Sequence, residues 1–129
     1  MPSLFSKIVS GEIPCHKIAE NEEFLAFLDV FPCAIGHTLV IPKAEIDYIF
    51  DMEDAAYLRL MAFAKQIAPA IKKAIPCKRI GIAVIGLEVP HAHIHLIPLN
   101  SMEDMDFGKK IKISQEVLEQ TAQKIKTEL

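Results

Sequence analysis

"HAHIHLIPL" (residues 91–99) decides how this chain is read: His91, His93 and His95 stand at every second position, with Ala92, Ile94 and Leu96 between them. On a β-strand, residues two apart point the same way, and each such step advances about 6.6 Å. The alternation therefore predicts a strand with three imidazoles on one face and an apolar face against a core, bounded by Pro90 and Pro98. Aligned imidazoles have three possible uses: a solvated surface, a metal site, or phosphate chemistry. A His-x-His pair can hold zinc, but His91 and His95 would lie about 13 Å apart on an ideal strand, too far to share one ion. Phosphate chemistry needs one ring nitrogen held as a donor and the other left free to attack, with neighbouring rings donating to phosphate oxygens or to the leaving group.

Upstream, "RIGIAVIGLEV" (79–89) reads as the partner strand, joined to the histidine strand around Val89-Pro90. "GHTLVIP" (36–42) is a further strand, opened by Gly36 and closed by Pro42. "HKIAENEEFLAFLDV" (16–30) reads as a hairpin turning at "AEN", with Phe24, Ala26 and Leu28 alternating with Leu25, Phe27 and Asp29. "SLFSKIVSG" (3–11) predicts a short helix ended by Gly11.

Between 52 and 75 the period turns helical. Tyr57, Leu60, Ala64, Ile67, Ile71 and Ile75 form one stripe, with Asp51 as the expected N-cap and Pro69 as the site of an expected kink or break. That stripe suits either the core or a helix-to-helix contact between two copies. Residues 101–113 read as an acidic then basic loop. "SQEVLEQTAQKIKTEL" (114–129) closes the chain as an amphipathic helix capped by Ser114, with Val117, Leu118, Ala122 and Ile125 inward. The pattern is α+β on an antiparallel sheet. With 129 residues, no repeat and no Ser/Gly linker, one domain over 1–129 is expected.

The net charge of −3 and the absence of any basic block longer than two residues argue against nucleic acid as a partner. A small anion in a local pocket remains compatible. No signal-peptide pattern opens the sequence and no apolar run is long enough to span a bilayer, so no membrane partner and a cytoplasmic setting are expected. Cys15, Cys33 and Cys77 are odd in number and widely spaced, which predicts free thiols rather than a disulfide framework.

The segment "HAHIHLI" resembles the H-φ-H-φ-H-φ-φ signature of the histidine triad (HIT) family, and "FLAFLDVFPCAIGHTLVIPK" (24–43) and "LFSKIVSGEIP" (4–14) are similar to its N-terminal blocks. The resemblance spans residues 3–98 and is closest to the Hint branch and its bacterial relatives. It implies a five-stranded antiparallel sheet with a long helix and short terminal helices. It also implies a homodimer with a continuous sheet, to which the 57–75 stripe would contribute. The implied reaction is cleavage of an α-phosphate bond in AMP-X substrates, such as nucleoside phosphoramidates or dinucleoside polyphosphates, with a purine nucleotide as partner and no obligatory metal or cofactor. By position, His93 matches the nucleophile, His95 the histidine on the α-phosphate, and His91 and His37 the supporting histidines. Asp29 matches the acceptor of the ribose hydroxyls, and Phe5, Ile8, Ile13 and Val30 the apolar walls around the base. Without the family register, Phe5, Ile8 and Ile13 suit a core, Asp29 a turn, and His37 a surface loop. His16 matches nothing and reads as a surface residue.

Leu87 and Glu88 stand where the family commonly carries polar phosphate donors, which motivates the alternative of a nucleotide-binding or scaffold protein without turnover. Glu88 would adjoin the phosphate, as a repelling charge or as a proton carrier. Ser3 and Ser6 stand where some bacterial members carry zinc-binding cysteines, so that structural zinc is not expected.

Overall fold

A computed structural model describes residues 2–129. Five antiparallel strands form one sheet: β1 (Lys17–Glu20), β2 (Phe24–Leu28), β3 (Thr38–Pro42), β4 (Arg79–Ala83) and β5 (Ile94–Leu99), in the order β1-β2-β3-β5-β4. Three α-helices accompany them: α1 (Leu4–Val9), α2 (Asp54–Ala74) and α3 (Gln115–Thr127). This is the expected α+β architecture.

The alternation along β2 explains the layering, because both of its faces are buried. Phe24, Ala26 and Leu28 join Val40, Ile94 and Leu96 beneath α2 and α3. Leu25 and Phe27 face the other way and meet Leu39, Ile41 and Phe5 of α1 in a smaller second core. Leu60, Ala64, Ile67 and Ile71 of α2 are all buried in the larger core. The 57–75 stripe therefore packs on the chain's own sheet, and this corrects its expected part in a contact between copies. Leu60 is wholly enclosed, so Leu60→Ala should lower unfolding free energy by about 3 kcal/mol, read from urea denaturation.

Local signals explain most of the boundaries. Asn21 ends β1, and its side-chain carbonyl accepts from the backbone N–H groups of Glu23 and Phe24, closing the hairpin. Gly36 sits at φ +94°, where a Cβ would also come within 2.9 Å of Ile75. Ser114 caps α3 by accepting from the Val117 N–H, as expected.

Four details differ from the sequence reading. Glu53, not Asp51, precedes α2, because residues Ile49–Asp51 form a separate 3₁₀ turn. Helix α2 continues through Pro69, so the break among the two expected outcomes does not occur. The carbonyl this frees belongs to exposed Lys65, where water can satisfy it. Val117 faces solvent and Thr121 takes its inward place. His16 is tied to α3 through Gln115 and Glu119 rather than standing free on the surface.

A fifth difference concerns the two long strands. β5 begins at Ile94, and β4 stops at Ala83. The β3–β5 ladder ends at Val40 opposite Ile94, since Pro42 has no N–H to continue it. Beyond that point the Ala92 N–H turns to the Ile46 carbonyl. Residues 84–91 leave the sheet, and 85–89 among them border the cavity beside the histidines. Among the described residues no helix is long and apolar enough to cross a membrane.

Candidate active site

Although only His95 lies within a strand, the alternation places the rings on the expected side. His95 pairs with Leu39 and faces the α1 side of the sheet. The His93 and His95 ring centres are 4.8 Å apart, and Phe5 lies edge-on against His93 at 5.0 Å and His91 at 5.9 Å. All four histidines of the candidate set are buried. A cavity of about 590 Å³ opens beside them, within the range of small-molecule sites. Phe5, Ile8, Ile13, Asp29, Val30, Glu88, His93 and His95 all line it. His37 and His91 stand behind that wall, each with no exposed surface.

The hydrogen-bond partners fix the tautomer of each ring. A backbone carbonyl can only accept, and a backbone N–H can only donate. His93 Nδ1 lies 2.7 Å from the His91 carbonyl, so it carries the proton and leaves Nε2 bare. His37 Nδ1 accepts from the Cys33 N–H at 2.9 Å, so its proton sits on Nε2. That Nε2–H donates to His95 Nδ1 at 2.9 Å, which leaves the His95 proton on Nε2. Adjacent rings thus present opposite functions: an unprotonated nitrogen on His93 and an N–H donor on His95. His91 donates from Nε2 to the Pro42 carbonyl at 2.7 Å, the group released where the ladder ends.

His91 Nδ1 accepts from the Ser3 hydroxyl at 2.8 Å. Ser3 also caps α1 by accepting the Ser6 N–H, while the Ser6 hydroxyl donates to Glu45 at 2.8 Å. The positions discussed for zinc thus form a hydrogen-bonded cluster. Ser3→Ala removes the cap and leaves a buried ring nitrogen without its donor, and should cost about 2 kcal/mol. An unchanged urea midpoint would show the hydroxyl to be dispensable.

Electrostatics keep His37, His93 and His95 neutral near pH 7. Burial, reinforced by the neighbouring imidazole and Lys110, pulls His37 down to about 3. Burial, with His93 and Lys110, pulls His95 down to about 4. Burial also lowers His93, against the opposing bond to the His91 carbonyl. Asp29 is raised by burial although its Oδ1 accepts from the Phe31 N–H at 2.8 Å. One side-chain atom each from Asp29, His37 and His95 lie within 4.8 Å of one another. This is a different trio from the His-x-His pair considered for a metal, and the His37 and His95 nitrogens are engaged with each other.

Phe107 and Lys110 were not anticipated from the sequence, yet both line the cavity. Phe107 packs edge-on against His95 at 4.8 Å. They lie in the 101–113 segment, where no periodicity or spacing marks them. Leu87 lines the mouth and is 89% exposed.

Both the sequence and the fold of this chain are similar to those of known proteins. The HIT domain model matches residues 10–102. An uncharacterized HIT-like protein of Borreliella burgdorferi is 35% identical over 121 residues, covering 88% of this chain and 87% of its own. The adenosine 5'-monophosphoramidase HNT1 of Saccharomyces cerevisiae is 33% identical over 126 residues, covering 89% and 80%. A Hit-like protein of Bartonella henselae, described as involved in cell-cycle regulation, superposes with a TM-score of 0.86 at 32% identity, covering 98% and 96% of the two chains. The chain belongs to the HIT family.

Proposed function

We propose that this protein cleaves the α-phosphate bond of AMP-X substrates, nucleoside phosphoramidates or dinucleoside polyphosphates, through a nucleotidyl-histidine intermediate. The observation that carries the reading is the opposed tautomers of His93 and His95 at the wall of one cavity. His93 Nε2 attacks phosphorus, the P–X bond breaks, and the leaving group takes the His95 Nε2 proton. Water then attacks the P–N bond, returns a proton to His95 and frees AMP and His93. His91 and His37 hold the two rings through its carbonyl and its Nε2–H. Asp29 accepts from the ribose hydroxyls, and Phe5, Ile8, Ile13 and Val30 enclose the purine, while Glu88 borders the phosphate end. No metal or cofactor enters these steps. The similarity to an adenosine 5'-monophosphoramidase supports this substrate class.

A homodimer belongs to the same proposal. β4 is a sheet edge whose Ile82 is exposed, and it borders an apolar groove with Met61, Ala62 and Ala68 of α2. Such an edge is a ready surface for pairing with a second copy.

Incubation with adenosine 5'-phosphoramidate should release AMP, and acid quenching should trap a nucleotidyl adduct on the protein. Tight AMP binding with no turnover on either substrate type would instead favour the binding or scaffold role that Leu87 and Glu88 suggest.

A further inference from the structure

Most of the cavity lining is poorly matched to an anion. Asp29 and Glu88 bring two carboxyl groups, and burial disfavours the charged form of the two lining imidazoles, His93 and His95. Among the described residues that line it, Lys110 is the one cation.

The 101–113 segment holds that cation in place at several points. Asp106 organises a turn: its carboxylate accepts the Gly108 N–H at 2.8 Å and its carbonyl the Lys109 N–H at 3.0 Å. The Ile111 N–H donates to the Pro32 carbonyl at 2.9 Å, fastening the segment to the turn that follows Asp29. Between these anchors Phe107 packs on His95, and the Lys110 ammonium lies 5.0 Å from the centre of the same Phe107 ring. A cation over an aromatic face is attracted by the ring quadrupole. The Lys110 charge is felt inside: it opposes protonation of His37 and His95 and favours ionised Asp29.

Resting on the function proposed above, we propose that Lys110 is the cationic ligand of the substrate's phosphate, presented at the cavity by Phe107. A neutral imidazole offers a phosphate one N–H. An ammonium offers three donors and a full opposite charge. Lys110 would thereby supply the electrostatic attraction that the rest of the lining lacks. Its exposure lets it be replaced without disturbing the core.

The test is calorimetric titration of the whole chain with AMP and with adenosine, for wild type, Lys110→Met and Lys110→Arg. Wild type should bind AMP more tightly than adenosine. Lys110→Met should weaken AMP about tenfold or more, leave adenosine unchanged, and flatten the salt dependence of AMP binding. Lys110→Arg should retain most of the affinity. Equal AMP affinity in wild type and Lys110→Met overturns the role of Lys110 and leaves the proposed function standing. Equal losses for AMP and adenosine also overturn it, because they indicate a structural effect. Failure of wild type to bind AMP overturns both proposals.

Discussion

His93→Ala is expected to lower AMP release from adenosine 5'-phosphoramidate by at least about 10⁴-fold, because it deletes the atom that forms the covalent bond. The fold should survive, since the lost ring borders an open cavity rather than the main core. The acid-trapped adduct should disappear with it, which separates loss of the nucleophile from loss of binding. His95→Asn should be less damaging, by about 10²- to 10³-fold, as expected for removing one proton donor while the nucleophile remains. Activity persisting in His93→Ala would require another nucleophile and would remove the basis for the mechanism.

The second large effect is a loss of stability in mild acid. His37 is held at about 3 and His95 at about 4 in the folded protein, against about 6.5 for a free imidazole. Between pH 6.5 and 4 the unfolded chain therefore binds more protons than the folded one, and stability must rise with pH across that window. The contribution is fully present above about pH 6.5 and is lost as pH falls towards the folded values. Each unit of separation corresponds to about 1.4 kcal/mol per group, so the pair together should cost several kcal/mol by pH 4. Asp29, raised by burial, works in the opposite sense and softens the lower end of the window. Urea midpoints at pH 7, 5.5 and 4.5 should fall steadily, and more gently in His95→Gln. A flat wild-type profile would show that the rings are not kept neutral by folding.

Much of this site was legible because strand periodicity reports which face a side chain takes. "HAHIHL" placed the rings on one side even though the strand begins only at Ile94. What periodicity could not supply was the end of the ladder. That depends on Pro42, about fifty residues away in sequence, which withholds an N–H from a neighbour it meets only in the folded sheet. The stripe on α2 shows a similar limit: its spacing gives an apolar face, but only the packed sheet shows that Leu60, Ala64 and Ile67 are spent inside the chain. Pro69 does not end the helix, and the carbonyl it frees belongs to exposed Lys65, where water can satisfy it. Lys110 and Phe107 were invisible because their position comes from the Asp106 turn and the Ile111–Pro32 bond, which no spacing encodes. The family resemblance correctly gave the sheet. The residue roles it implied now have a geometry in which to be tested.

The Ser3 hydroxyl has one further consequence. A helix of six residues is far below the length that is stable on its own in water, so α1 persists through Ser3 and through Phe5 in the smaller core. The same hydroxyl donates to the His91 nitrogen left bare by the bond to the Pro42 carbonyl, and the same phenyl ring leans on His93. Docking of the N-terminal segment and support of the histidines are therefore coupled: when the first turn of the chain frays, His91 loses its hydroxyl donor and the site loses the Phe5 side of its wall.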